Sequence, residues 1–461
     1  MAKSERKILI DTDGGVDDLL ALFVVSRLVP PPSLHVAVTF GNVPRDRALQ
    51  NVSMLAALQA IQFGAVLRGR TRPLEGVPEF ALRVHGSDGI GGASNQPEWN
   101  TPPLPTKELQ EEKVGAQYGC VVAIGPLSDI AIWARDLEQD HPPLCVMGGA
   151  FDVPGNVSST AEFNFRSDPN AAREIFDTYP NRISVVSLDV CRQVVLTREH
   201  LRRLCELNPS RATSFLNTIH QHYMDYYRTA AGIDGCYPHD TICVCAALSP
   251  DLFSWVRGRV SIVVDGPERG RSLFVEDSNG RHFLAKDIDR KRFFTMVEKA
   301  VLGPILGKLG SGEAVYDSIE SHVRDHPTVI PYLKDALSRI DAQHRDRCYE
   351  EVEFSKVIGY SLCVPTRPGD LIVYAQRKGR RGLTRFVKER VPEPCSSVVV
   401  ALAKTSAGYI LKTAYVGHKA PAEPWDHPYA TADSIPFWNT HAIVWGHEAI
   451  IPDTEISTSP W

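Results

Sequence analysis

Residues 8–18 read Ile8-Leu9-Ile10-Asp11-Thr12-Asp13-Gly14-Gly15-Val16-Asp17-Asp18, and this stretch limits the fold more than any other. The apolar run Ile8 to Ile10 has the length of a buried strand. It leads directly into four carboxylates within eight residues. Gly14 and Gly15 break the strand, and Leu19, Leu20, Leu22, Phe23 and Val25 then follow helical spacing. The acids therefore fall in the turn after a strand and in the first turn of a helix, the edge where open α/β sheets place their sites. Helix capping accounts for one or two of them, Asp17 and Asp18. Four carboxylates this close repel one another, and a bound cation makes the crowding tolerable.

The order that follows is β-α-β-α. Pro30-Pro31-Pro32 stops the first helix, Leu34 to Phe40 forms the next strand, and Asp46 to Gln62 is an amphipathic helix. Strands recur at Cys120–Ile124, Leu144–Met147 and Ile183–Leu188, with Val260–Val264 as a closing strand and Phe293–Leu306 as a closing helix. This alternation predicts an open, mostly parallel α/β sheet with flanking helices. Gly307 to Gly312 reads as a linker. Beyond it, Ala314–Ile340 has a helical pattern and short β-like runs follow from Val357, giving a smaller C-terminal α+β domain. The expected domains are residues 1–310 and 315–461.

A length of 461 residues and 43% hydrophobic content suit two or three globular domains. A net charge of -5 predicts no affinity of the whole chain for nucleic acid or membrane, and no apolar run is long enough to span one. No signal peptide is expected behind Met1–Lys7. The ten cysteines contain no CxxC, so reduced thiols and a cytoplasmic location are expected.

The polar residues at strand ends and loops are Asp11, Asp13, Asp17, Asp18, Asn42, Asn156, Glu162, Asn164, His239 and Asp240. Hard oxygen donors suit calcium or magnesium, and the shortage of histidine and cysteine argues against zinc. Acids and amides together suit a ligand rich in hydroxyls, such as a sugar. A metal-held water beside a carboxylate is a hydrolytic nucleophile, and a nearby histidine can act as acid toward a leaving group.

Asp11–Asp18, the Val84-His85-Gly86 loop, Glu162-Phe163-Asn164 and His239-Asp240 occur in an order that resembles the inosine–uridine preferring nucleoside hydrolase family. The resemblance covers about the first 310 residues. It implies one calcium ion and hydrolysis of the N-ribosidic bond to ribose and free base. It further implies that Asp13, Asp18, Asp240 and the carbonyl of Ile124 hold calcium, with Asp13 also the base. Asp17, Asn42, Asn156, Glu162 and Asn164 would grip the ribose hydroxyls, with Met147 near the sugar. His239 would protonate or hydrogen-bond the departing base. His85, Phe163, Tyr223 and Tyr227 would line the base pocket, and Asp11 would orient the metal ligands from behind. Taken singly, Met147, Phe163 and the tyrosines are also ordinary core residues. The expected partners are a nucleoside substrate, with a nucleotide left open by the basic C-terminal run, and further copies of the chain, as a dimer or tetramer. The chain departs from the family's usual pattern at Gly14-Gly15 (usually Pro-Gly), at Ser128-Asp129 (usually Thr-Asn) and in a Met147–Asn156 loop that is one residue longer.

The C-terminal domain lies outside that resemblance. Its basic run, Arg377-Lys378-Gly379-Arg380-Arg381 with Arg385, Lys388 and Arg390, and its Thr413, His418 and His441 leave two readings open. One is a solvated basic face on an accessory domain. The other is RNA binding or cleavage, with a weak resemblance to small ribonuclease-toxin folds.

Overall fold

The computed structural model describes residues 7–59, 63–99, 101–109, 117–137, 141–303, 305–317, 326–342, 345–378, 380–427, 429–447 and 450–461. The chain divides into two compact units, Met1–Gly303 and Pro304–Trp461.

The first unit contains, in order, β1 (Lys7–Thr12), α1 (Val16–Leu28), β2 (Leu34–Val38), α2 (Arg45–Gln59), β3 (Ala65–Arg68), α3 (Leu82–His85), β4 (Lys107–Glu108) and β5 (Tyr118–Ala123). Next come α4 (Ser128–Arg135), β6 (Leu144–Met147), α5 (Phe163–Ser167), α6 (Pro169–Thr178), β7 (Ile183–Val186), α7 (Leu188–Cys191), α8 (Arg198–Leu207) and α9 (Arg211–Ala231). It ends with α10 (His239–Leu248), β8 (Phe253–Ile262), β9 (Ser272–Glu276), β10 (His282–Ile288) and α11 (Arg290–Leu302).

Among the described residues, ten strands of this unit form one sheet in the order β4-β3-β2-β1-β5-β6-β7-β10-β8-β9. Pairing is parallel from β4 through β10 and antiparallel for β8 and β9. The expected parallel α/β sheet is therefore present. The chain first builds outward from β1 through β2 to β4, then returns to the opposite side of β1 with β5. That reversal is a topological switch point, and it opens a crevice beyond the carboxyl ends of β1 and β5. Leu9, Val121, Leu144 and Val185 form part of a core shared with Phe165, Phe176 and Tyr179.

Gly14 sits at φ +67, and a Cβ there would meet Ala48 Cα at 2.7 Å. A proline, fixed near φ of about −65°, cannot take that conformation, so the departure at this position belongs to a left-handed turn that lets α2 approach closely.

The second unit contains β11 (Ile305–Lys308), β12 (Ala314–Asp317), α12 (Ile330–Ser338), β13 (Arg347–Glu353), β14 (Gly359–Ser361), β15 (Cys363–Pro365) and β16 (Leu371–Gln376). It continues with β17 (Leu383–Lys388), β18 (Glu393–Cys395), β19 (Ser397–Thr405), β20 (Gly408–Val416), α13 (Ser434–Thr440) and β21 (His441–Val444). Among the described residues these make a five-stranded sheet, β11-β12-β20-β19-β13, a four-stranded sheet, β15-β21-β17-β16, and the pair β14-β18. Leu333, Ala336 and Leu337 of α12 share a core with Val398, Val400 and Leu402 of β19.

Three expectations require correction. The linker Gly307–Gly312 is instead the arm and turn of a hairpin: β11 pairs antiparallel with β12, and Leu309 and Gly312 close the turn. The closing helix ends at Leu302, because Gly303 at φ +76 caps it and Ile305 onward is extended. The helical pattern over 314–340 resolves into β12 and the shorter α12, with 318–325 outside the described residues. Residues 60–62 of the expected second helix also lie outside them.

Much of the basic run is matched within the second unit. Arg377 pairs with Glu423 at 2.7 Å, Lys388 with Glu455 at 2.5 Å, and Arg390 with Asp370 at 2.8 Å. The Arg385 guanidinium donates to the carbonyls of Trp438 and His441, each at 3.0 Å. His441 stacks on Phe437 with centroids 4.0 Å apart. Lys378, Arg380 and Arg381 are exposed. No described helix is long and apolar enough to cross a membrane.

Candidate active site

Turns at the carboxyl ends of the parallel strands deliver the polar residues to one cavity of about 420 Å³. Asp17 and Asp18 enter from the first turn of α1, Asn42 from the turn after β2, and His85 from the end of α3. Ile124 follows β5, Met147 ends β6, and Glu162 caps α5. Tyr223 and Tyr227, four apart on α9, share one helical face. His239 and Asp240 open α10. Of the sequence-expected site residues, Asp17, Asn42, His85, Ile124, Met147, Asn156, Glu162, Phe163, Asn164, Tyr223, Tyr227, His239 and Asp240 line the cavity, whereas Asp11, Asp13 and Asp18 are not among its lining residues.

The acids at its floor are buried. Oxygens of Asp17, Asp18 and Asp240 all lie within 4.8 Å of one another, a grouping that fits a metal ion. Asp13 sits beside this trio but is held differently. The Asn42 backbone N–H donates to Asp13 Oδ2 at 2.7 Å, and the Asn42 side-chain amide donates to Oδ1 at 2.8 Å. Asp18 accepts from Thr12 Oγ1 at 2.5 Å, from the Gly15 N–H at 2.9 Å and from the Asn42 amide at 3.0 Å. The set brought together thus includes Asp17, assigned to the sugar by resemblance, alongside the expected Asp18 and Asp240.

Burial, followed by repulsion from Asp18, pushes Asp17 up to about 8. Asp13 is raised well above the carboxylate range by burial and Asp18, and Asp240 by burial and then Asp17, Asp18 and Asp13. Among the described residues, one oxygen of Asp17 has no hydrogen-bond partner. A cation at this floor satisfies both features: it screens the repulsion and occupies the free oxygen. The donors are all oxygen, including the Ile124 carbonyl, which accepts from the Asn164 amide at 3.1 Å. This chemistry fits a hard cation such as calcium, which takes about six to eight oxygens.

Asp11 is fully buried; its carbonyl accepts from the Ile124 N–H at 2.8 Å, and among the described residues neither of its carboxylate oxygens has a hydrogen-bond partner. Burial and then Asp129 raise its pKa well above the usual range. Asp129 is the acid of the second departure from the family pattern, and it accepts from the Arg70 N–H at 2.9 Å.

Glu162 accepts the backbone N–H groups of Asn164, Gly149 and Phe165, at 2.8, 3.0 and 3.1 Å. These bonds fix the loop that presents Asn164. Asn156 Oδ1 accepts from the Phe163 N–H at 2.9 Å. His85 stacks on Tyr223 with centroids 5.0 Å apart, and its Nδ1 accepts from the Val16 N–H. The Tyr223 hydroxyl hydrogen-bonds Asp17.

His239 shares a hydrogen bond of 2.9 Å with the Tyr227 hydroxyl, and among the described residues its other ring nitrogen has no hydrogen-bond partner. A free imidazole titrates near neutrality. Burial, with Arg192 adding to it, instead pushes His239 down to about 3. That shift keeps the ring neutral near pH 7. Arg192, Tyr226 and Tyr237 also line the cavity. Tyr237 had a weak signal in its closeness to His239, and Arg192 had none.

The fold and site define a hydrolase built on an open α/β sheet. Residues 8–295 match the model of the family described as "Inosine-uridine preferring nucleoside hydrolase". The chain is 30% identical over 276 residues to "Probable uridine nucleosidase 2" of Arabidopsis thaliana, covering 58% of this chain and 85% of the relative. It is 31% identical over 259 residues to "Non-specific ribonucleoside hydrolase RihC" of Escherichia coli, covering 54% and 80%. Among solved structures, a plant nucleoside hydrolase, PpNRh1, aligns with TM-score 0.57 at 28% identity, covering 65% of this chain and all of the other. A purine-preferring ribonucleoside hydrolase from Gardnerella vaginalis aligns with TM-score 0.57 at 25% identity, covering 64% and 98%. The chain belongs to the inosine–uridine preferring nucleoside hydrolase family. Its activity is hydrolysis of the N-ribosidic bond of nucleosides, and the matched region ends before the second unit begins.

Proposed function

We propose that this hydrolysis depends on calcium, held by Asp18, Asp240, Asp13, the Ile124 carbonyl and, in the arrangement observed, Asp17. The observation that carries the reading is the convergence of three buried carboxylates at the floor of a nucleoside-sized cavity. When bound, the cation would hold a water molecule and make it more acidic. Asp13, aligned by both N–H groups of Asn42, accepts the proton of the attacking water. Asp17, Asn42, Asn156, Glu162 and Asn164 grip the ribose, with Met147 against it. As the bond to the base breaks, positive charge grows on the sugar, and the surrounding carboxylates and amides stabilise it. His239, backed by Tyr227, hydrogen-bonds the departing base. His85, Phe163, Tyr223 and Tyr227 supply apolar and aromatic surface for the base.

Ten unpaired cysteines support a reducing, cytoplasmic setting. The family likeness supports a homo-oligomer, a dimer or tetramer, to be checked by light scattering. The central test is ribose release after stripping metal and returning calcium in steps. Turnover that rises with calcium supports the reading. Full turnover without it overturns the metal assignment, and retained turnover in Asp13→Ala overturns the base.

A further inference from the structure

The second unit holds a cysteine, a histidine and a glutamate in one hydrogen-bonded line. Cys395 ends β18, His418 follows β20, and Glu351 lies on β13. Strand pairing brings them together. Val399 of β19 stands opposite Glu351 on one side and Tyr415 of β20 on the other, so the chain leaving β20 passes close to Glu351. There the Lys419 N–H donates to Glu351 Oε2 at 2.8 Å. His418 Nδ1 is 2.7 Å from Glu351 Oε1, and His418 Nε2 is 3.6 Å from Cys395 Sγ. Among the described residues, Cys395 is the one cysteine of the ten that is hydrogen-bonded to an imidazole.

The carboxylate decides where the protons sit. Burial by itself raises Glu351, but the Lys419 N–H and the His418 ring outweigh it and hold the acid below the usual carboxylate range. An ionised carboxylate only accepts, so His418 Nδ1 is the N–H donor. In the neutral ring Nε2 is then an acceptor, and it faces the sulfur. Burial raises the Cys395 thiol above its ordinary range, so it keeps its proton and donates it toward Nε2. The Ser397 N–H donates to the same sulfur at 3.4 Å, placed to stabilise negative charge there. A nucleophile, a base and an acid that orients the base are the parts of a covalent catalytic set. Cys395 is 2% exposed, but the His418 side chain that meets it is 59% exposed, so the sulfur lies one side chain below solvent.

We propose that Cys395, His418 and Glu351 are the nucleophile, base and orienting acid of a second active site, and that this site hydrolyses activated acyl esters or thioesters. As Cys395 Sγ bonds to the carbonyl carbon, its proton passes to His418 Nε2. The bond from that carbon to the leaving oxygen or sulfur breaks, and the leaving group departs with the proton from His418. Water, giving a proton to His418, then attacks the S-acyl carbon. The carbon–sulfur bond breaks, the thiol regains its proton, and a carboxylic acid is released. Glu351 touches no reacting atom. It keeps Nδ1 protonated and steadies the imidazolium formed midway, so it is a positioning residue.

The test uses the full chain and the probe 4-nitrophenyl acetate. Nitrophenol release is followed by absorbance, and S-acetyl groups are mapped by mass spectrometry. In the wild type Cys395 is acetylated before any other cysteine, and release continues past one equivalent per chain. Cys395→Ser removes this reaction. His418→Gln slows acetylation of Cys395 at least ~100-fold, and Glu351→Gln at least ~10-fold. A loosened fold would expose the sulfur and speed its acetylation, so a fall reports the lost base or its lost orientation and not unfolding. Acetylation of Cys395 no faster than that of the other cysteines overturns the site, and so does release that stops at one equivalent. An unchanged or faster reaction in His418→Gln overturns it as well, because the ring then only covers the sulfur.

Discussion

Asn42 clamps Asp13 with two N–H groups, one from its backbone at 2.7 Å and one from its side chain at 2.8 Å. The same side chain reaches Asp18 at 3.0 Å, so one amide sets the spacing of two carboxylates. Replacing Asn42 with alanine leaves the backbone bond but frees Asp13 Oδ1 and removes the tie to Asp18. The expected result is a folded enzyme whose kcat falls about 100-fold, because a misaligned base loses transition-state contacts. Steady-state kinetics with circular dichroism on the same sample checks this.

Asp240→Asn separates stability from activity. Asp240 is raised by burial and then by Asp17, Asp18 and Asp13, so an amide relieves repulsion in the calcium-free protein. The Tm of that form should rise by about 3 °C. Activity should fall at least ~1,000-fold, because a cation ligand is gone. Thermal scans with and without calcium give the discriminating readout: calcium raises the wild-type Tm and leaves the variant nearly unmoved.

Tyr227 gives His239 its hydrogen bond at 2.9 Å. Tyr227→Phe should lower kcat on inosine or uridine roughly tenfold. A riboside whose leaving group departs without a proton, such as 4-nitrophenol, should be little affected. An equal loss on both substrates would show that Tyr227 acts through packing.

His220 is fully buried on α9, with Nδ1 bonded to the Leu216 carbonyl and Nε2 without a hydrogen-bond partner among the described residues. Burial lowers it to about 4, from an ordinary value of 6.5. The folded state therefore resists protonation that the unfolded chain accepts. Stability is unaffected by this group above about pH 6.5 and is lost as pH falls toward 4, by about 1.4 kcal/mol per pH unit. His220→Leu should flatten that acid limb by one proton's worth of slope in urea unfolding at a series of pH values.

Arg377 and Glu423 form a largely buried pair at 2.7 Å, with side-chain exposures of 14% and 8%. Arg377→Ala strands the Glu423 charge and should destabilise the second unit by roughly 3 kcal/mol. Limited proteolysis of the full chain should then cut preferentially after residue 303, with nucleoside hydrolysis retained.

The strand–turn–helix at residues 8–28, the strand-end positions of Asn42 and Ile124, and the opening of α10 at His239-Asp240 were legible in the sequence. Each is marked locally by an apolar run followed by glycine, acid or amide. The hairpin at Gly307–Gly312 was not legible, because glycines mark a turn and a linker alike until the pairing partner is known. Arg192 carried no signal, since a single arginine after a short helix is an ordinary surface residue until the fold turns it into a cavity.

Sequence alone determined that four acids would crowd the carboxyl end of a central parallel strand, because strand length, chain-breaking glycines and helical spacing act within a few residues. Tertiary structure decided which carboxylates converge, drawing Asp240 to Asp17 and Asp18 while Asn42 holds Asp13 to one side. It also kept His239 neutral and matched four of the seven cations of the C-terminal basic run with acids or carbonyls. Those outcomes depend on burial and on charges brought together from distant parts of the chain, and neither is written in local pattern.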